Sequence, residues 1–265
     1  MINPFKYVFG PVESWRLGRS LGVDPLSSKH KICNMDCVYC QLGKTAQLTN
    51  ERKIYVPTQD VMDEISQIPL HFVDYITFAG RGEPTLATNL GEMIRRVKAI
   101  RHEKVAVLTN SSLMNLAEVR DDLMYADFVL AKLDAGEQSF FEAVAQGEAL
   151  DLEKIIKGIM DFRAVFKGKL ALQIMLVEEN IKNVHQMADI ARRICANEVQ
   201  LDTPLRPSAV KPLERQRLQW AKKYFEDMPV ITVYDAPLKE FTPIDERATM
   251  ERHGNYRKAS PLITK

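Results

Sequence analysis

Cysteine is scarce in this chain, four residues in 265, which excludes a disulfide-stapled secreted fold. An excess of one charge sign is also missing. Lys and Arg number 36 against 35 Asp and Glu, a formal net charge of +1, so the chain lacks the concentrated basic surplus that nucleic acids and anionic membranes recruit. No apolar run approaches the ~20 residues of a membrane span, and residues 1–10 are too polar and too short for a signal peptide. Internal repeats, low-complexity tracts and Pro- or Gly-rich linkers are lacking as well. What remains, 46% hydrophobic and 27% charged, is the composition of an ordinary cytoplasmic enzyme of about one or two domains.

The few cysteines are concentrated. Cys33, Cys37 and Cys40 fall in the run Cys-Asn-Met-Asp-Cys-Val-Tyr-Cys, while Cys195 stands far away. Three thiols this close in a reduced compartment read as metal ligands. A closed zinc site needs four ligands, and His30, three residues before Cys33, is the candidate fourth. An iron–sulfur cubane held by the three thiolates alone keeps one iron open, the coordination logic of a catalytic metal. A third reading closes a cluster with Cys195. That cysteine also continues the apolar stripe Met187, Ala188, Ala191 and Ile194, so it reads first as a small buried hydrophobe.

Strand-like runs cover Leu17–Asp24, Val73–Ala79, Val105–Thr109, Phe128–Leu133, Leu170–Val177 and Val199–Asp202, apolar on both faces as buried parallel strands are. Helical stripes intervene, among them Leu90, Met93, Ile94, Val97 and Ile100, and Leu152, Ile155, Ile156, Ile159 and Phe162 with Asp151 as cap. Six alternations within residues 17–203 predict an α/β fold, a partial (β/α)6 TIM-like barrel rather than a closed eight-unit barrel of ~250 residues. The cysteine run follows the first strand, on the rim where such folds collect ligands. A further helix over 214–225 and a strand over 230–234 follow; residues 1–240 read as one core domain and 241–265 as a loose polar tail.

The Cys-x3-Cys-x2-Cys spacing with Tyr39 before its last cysteine resembles the signature of the radical S-adenosylmethionine (radical SAM) superfamily. Gly80-Arg81-Gly82-Glu83-Pro84, ending the second strand, resembles that family's Gly-Gly-Glu-Pro element, with Arg81 in place of a glycine. The segments Phe9–Val12, Arg16–Gly22 and Gln41-Leu42-Gly43 narrow the likeness to a small iron–sulfur oxidoreductase group related to the tRNA wyosine-base synthases. Those synthases carry further cysteines for a second cluster, and here none remain to build it.

The resemblance implies a radical SAM barrel, a [4Fe–4S] cluster on Cys33, Cys37 and Cys40, S-adenosylmethionine (SAM) as co-substrate, and a low-potential electron donor of flavodoxin or ferredoxin type. It implies SAM contacts at Gly80, Gly82 and Glu83, which receive the methionine amino group; without it, the same run reads as a strand-ending turn before a proline-started helix. Asn110 and Ser111 match a Thr-Asn-Gly element or cap the next helix. Lys132 meets the SAM carboxylate or pairs near Asp134, since an unpaired buried ammonium is costly. Gln173 is a ribose ligand or a satisfied core glutamine, and Arg206 meets an anion or solvent. Arg16 and Arg19 hold anions or pair with nearby acids. The substrate stays open. Nucleic acid is neither indicated nor excluded: the neutral charge argues against it, while Arg247, Arg252, Arg257 and Lys258 of the tail offer basic groups.

Overall fold

The computed structural model describes residues 5–69, 73–147, 149–235 and 242–253. Eight strands form one sheet: β1 (Val8–Ser14), β2 (Gly18–Val23), β5 (Tyr75–Phe78), β6 (Lys104–Thr109), β7 (Phe128–Lys132), β8 (Lys169–Met175), β9 (Glu198–Asp202) and β10 (Val230–Thr232), side by side in that order. Two-residue strands β3 (Ile32–Cys33) and β4 (Gln47–Leu48) pair separately. The helices are α1 (Thr58–Ile65), α2 (Leu90–Ile100), α3 (Ala117–Leu123), α4 (Gln138–Ala145), α5 (Leu152–Val165), α6 (Val184–Ile194), α7 (Arg215–Lys222) and α8 (Glu246–His253). From β2 to β10 every neighbouring pair is parallel, and β1 alone runs antiparallel, against β2. The six expected strands are all present in this mixed α/β fold.

The two faces of the sheet differ because side chains alternate along each strand. Val105, Val107, Val129, Ala131, Leu170, Leu172, Ile174, Val199 and Leu201 join the large core with the helices. On the other face Ala106, Phe128, Leu130 and Ala171, with Leu17, form a small apolar cluster. Further along the same strands that face turns polar, at Asn110, Lys132, Gln173 and Asp202. Arg16, in the β1–β2 turn, is ion-paired with Asp202 at the end of β9. Five strand spacings separate β2 from β9, about 24 Å in a flat sheet and far beyond an arginine's reach. The sheet is therefore curled, with its polar face inside, as a partial barrel requires.

Three expectations need correction. Ile100 lies at the end of α2 and is exposed, so that stripe stops at Val97. Cys195 is exposed: it caps α6 in the left-handed conformation, φ 55°, which swings it off the apolar stripe ending at Ile194. It also stands before β9, at the opposite end of the strands from the cysteine loop, and so is no fourth ligand. Finally, Glu246–His253 of the expected loose tail form α8, docked on β1. Gly10 N–H donates to Thr249 Oγ1 (2.9 Å) and Ile244 N–H to the Gly10 carbonyl (2.7 Å). Arg252 is buried against Asp24 (3.4 Å) and gives nucleic acid no free charge. Arg257 and Lys258 lie outside the described residues.

Asp24 holds several parts together. Its carboxylate accepts the N–H groups of Leu26 and Ser27 (3.1 Å each) and Arg81 (3.2 Å), besides pairing with Arg252. Burial pushes its pKa up while Arg252 pulls it down. Removing one member of a buried pair strands the other, so Asp24→Ala loses about 3–5 kcal/mol in urea unfolding, and Asp24→Ala/Arg252→Met regains part of it.

Candidate functional site

The cysteine loop leaves the C-terminal end of β2 and is zipped to the loop after β5. Ile32 N–H donates to the Arg81 carbonyl (3.0 Å), and Glu83 N–H donates to the Ile32 carbonyl (3.3 Å). This close approach explains two glycines. A Cβ on Gly82 would lie 1.6 Å from the Ile32 carbonyl oxygen, and one on Gly80 would lie 2.3 Å from the Asp24 carboxyl carbon. Arg81, which departs from the family pattern, points away from the cysteines. Its guanidinium donates to the backbone carbonyls of Ser28 (3.2 Å), Lys29 (2.5 Å) and Glu251 (2.8 Å), tying this loop to α8.

Glu83 is buried and held by four hydrogen bonds from the fold. Oε1 accepts from Thr85 N–H (3.0 Å), Thr85 Oγ1 (2.6 Å) and Thr109 Oγ1 (2.7 Å); Oε2 accepts from Asn110 N–H (2.6 Å). Burial raises its pKa, and these hydrogen bonds to the ionised form pull the other way. Each carboxylate oxygen has two lone pairs and Oε2 holds a single donor, so Oε2 keeps room for one more.

Each of the three sulfurs has a polar neighbour. Asn110 Nδ2 lies 3.7 Å from Cys33 Sγ and donates to Asn34 Oδ1 (2.8 Å), while its own Oδ1 accepts from Ser112 N–H (3.0 Å). Asn110 thus faces the metal motif and braces the turn at Ser112, but it does not cap the next helix: the N-cap of α3 is Leu116, with no side-chain cap. Tyr39 lies beside Cys37, and its hydroxyl donates its one proton to Asp134. Lys31, buried, hydrogen-bonds Cys40 and donates to the Gly43 carbonyl (3.1 Å). Burial works against the Lys31 charge, but the sulfurs of Cys40, Cys33 and Cys37 outweigh it and hold the ammonium above its ordinary pKa.

Burial, seconded by Glu83, pushes the Cys33 thiol up to about 12, and burial pushes Cys37 up to about 11. Thiols of this kind ionise when a metal supplies compensating positive charge. Among the described residues no set of three or more His, Cys, Asp and Glu side chains forms the cage of a single ion, and His30 is exposed. A cluster, whose thiolates bind different irons, does not need that cage. Donors beside Cys33 and Cys40 and the Lys132 charge near Cys37 also suit a cluster whose potential they would tune.

The remaining expected residues divide. Lys132 pairs with Asp134 (3.2 Å) and lies 4.7 Å from the Tyr39 ring centre, beside Cys37. Gln173 lies elsewhere on the inner face, donating to Asp202 Oδ2 (2.7 Å). Ser111 takes the left-handed conformation, φ 69°, where the family pattern has glycine; its buried hydroxyl finds no partner among the described residues. Arg19 is an exposed partner of Asp74. Lys31 and Asn34 flank Cys33 in sequence but carry no motif signal and were missed; Asp134, expected as a partner of Lys132, also takes the Tyr39 hydroxyl. A cleft of about 580 Å³ opens beside the motif, walled by Cys37, Cys40 and Lys44 on one side and Pro207–Val210 on the other.

A profile described as the Radical SAM superfamily matches residues 28–191. The chain is 40% identical over 218 residues to the UPF0026 protein slr1464 of Synechocystis sp. (strain ATCC 27184 / PCC 6803 / Kazusa), covering 82% of this chain and 81% of that one. Among solved structures, Streptococcus suis SuiB bound to S-adenosylmethionine matches with a TM-score of 0.61 at 13% identity, over 77% of this chain and 48% of that chain. TYW1 with a lysine-pyruvate adduct bound matches with a TM-score of 0.61 at 14% identity, over 80% and 74%. At such identities the likeness is one of fold, and this chain spans about half the length of SuiB.

Proposed function

Since the chain belongs to the radical SAM superfamily, and so to a class of enzymes, we propose that Cys33, Cys37 and Cys40 hold a [4Fe–4S] cluster on which SAM is reductively cleaved. The observation that carries this reading is the ring of polar and charged groups around the three sulfurs beside the Glu83 loop. When bound and reduced, the cluster and SAM supply a one-electron cleavage of the sulfonium, yielding methionine and a 5′-deoxyadenosyl radical able to take hydrogen from a substrate.

The chain's own residues bind and shield. Lys31 and Asn110 donate toward the sulfurs of Cys40 and Cys33, and the Lys132 charge acts on Cys37, so all three stabilise negative charge there. The open site on Glu83 Oε2 suits an ammonium, the SAM amino group, with Gly80 and Gly82 letting backbone approach closely. Lys132, already neutralised by Asp134, is a SAM contact through its remaining N–H donors, and Ser111 offers its hydroxyl. Gln173, held by Asp202, faces the barrel interior, where packed walls keep water from a reactive intermediate. A flavodoxin- or ferredoxin-type donor would deliver the electron.

The test is anaerobic reconstitution with iron and sulfide, then SAM and dithionite. Methionine and 5′-deoxyadenosine released in equal amounts, only under reduction, is the expected result; a colourless protein that leaves SAM intact would refute the proposal.

A further inference from the structure

The polar inner face holds more positive charge than the chemistry above uses. Arg16 projects into it from the β1–β2 turn, paired with Asp202 Oδ2, which also takes the amide of Gln173 (2.7 Å); Thr203 N–H occupies Oδ1 (2.9 Å). Oδ2 of Asp202 thus already serves two donors. Arg16 Nε stays buried with no hydrogen-bond partner among the described residues. Arg206, four residues beyond Asp202, lies within electrostatic reach of both groups and has one polar partner shown, Gln41 Oε1 (2.8 Å) on the cysteine loop. Burial, with repulsion from Arg16, lowers the Arg206 pKa to about 10, still charged at neutral pH. The same two arginines, after burial, hold His253 of α8 well below its ordinary pKa and hence uncharged. Of the two acids that act on Arg16, Glu198 is itself paired with Lys169 (2.9 Å), so two guanidiniums share the Asp202 carboxylate, leaving one positive charge in a largely desolvated place, which is costly without a counter-ion.

We propose that Arg16 and Arg206 form an anion subsite inside the barrel that binds a carboxylate of the substrate. Resting on the radical SAM reading, this assigns the substrate to the carboxylic acids. The surplus is one charge, which a carboxylate matches and a phosphate dianion exceeds, and a guanidinium fork fits a planar carboxylate. The entry route is the cleft, since Arg206 directly precedes its Pro207–Val210 wall and is tied through Gln41 to the cysteine wall. A carboxylate held there has its carbon chain between the barrel interior and the metal motif. Arg16 and Arg206 are positioning residues in this scheme.

The experiment titrates cluster-loaded protein, without SAM, with sodium acetate, sodium phosphate and sodium chloride at matched ionic strength, following the unfolding temperature. Ligand bound to the native state raises that temperature saturably. The expected result is a saturable rise with acetate, weaker with phosphate and absent with chloride. In Arg206→Gln, which leaves the Arg16–Asp202 pair in place, the apparent acetate affinity falls about 10- to 100-fold; Arg16→Gln gives a second reading where it folds. An equal acetate response in Arg206→Gln, a stronger response to phosphate, or an acetate response erased by saturating SAM would each overturn the assignment, the last by giving the subsite to SAM itself. The titration involves no SAM cleavage. A protein that binds acetate yet never cleaves SAM refutes the radical reading alone, and one that cleaves SAM without binding acetate refutes the subsite alone.

Discussion

Alanine at Cys33, Cys37 or Cys40, one position at a time, reduces cluster incorporation and SAM cleavage to background, while Cys195→Ala leaves both at the level of the unaltered protein. The contrast follows from position. The three motif sulfurs lie at the C-terminal ends of the strands, each with a polar neighbour, whereas Cys195 is exposed at the far end of β9. A cluster left with two protein thiolates loses a covalent ligand, an effect far larger than removing a neighbouring hydrogen bond, which costs about 10–100-fold. Iron and sulfide content, the brown absorption and methionine release check it together. Incorporation unaffected by Cys37→Ala would remove that residue from the ligand set.

Glu83→Gln acts through sterically silent chemistry. One carboxylate oxygen becomes an NH2 group, and whichever way the amide turns, a donor meets a donor: the Asn110 N–H at one end or the Thr85 N–H at the other. Leaving one buried N–H unsatisfied costs about 1–3 kcal/mol of stability. The loss of the negative charge also removes a charge-assisted bond to the SAM ammonium, raising the SAM Kd about 10- to 100-fold. Urea unfolding and equilibrium SAM binding to cluster-loaded protein measure the two parts. A SAM affinity unchanged in a variant that has lost stability would leave Glu83 as a brace for the Thr109–Asn110 turn and nothing more.

Much of this was legible in the order of residues, and what was not has identifiable causes. The six parallel strands could be read because burial on both faces makes them continuously apolar. β1 could not: it is an antiparallel edge strand interrupted by Gly10-Pro11, and nothing in its pattern alternates. α8 has no apolar stripe; its buried residues are Ala248, Thr249 and Arg252, and what holds it is hydrogen bonding to β1 and the Asp24 pair. Cys195 followed the helical period up to the residue where the helix ends, and a left-handed cap breaks that period. The metal motif was readable because its spacing is local. Its surroundings were read only in part: Tyr39 and Asp134 were named, but their contact with each other, and those of Lys31 and Asn34, are created by the curl of the sheet and the long loop after β2. Arg16 is the extreme case, a turn residue in sequence that becomes an interior cation only when the sheet closes on Asp202.

The most direct measurement is electron paramagnetic resonance of the anaerobically reconstituted, dithionite-reduced protein before and after SAM is added. The account predicts a signal from a reduced four-iron cluster that changes shape when SAM takes the iron to which no cysteine is bound. A spectrum indifferent to SAM, or a protein carrying one zinc and no paramagnet, would contradict it.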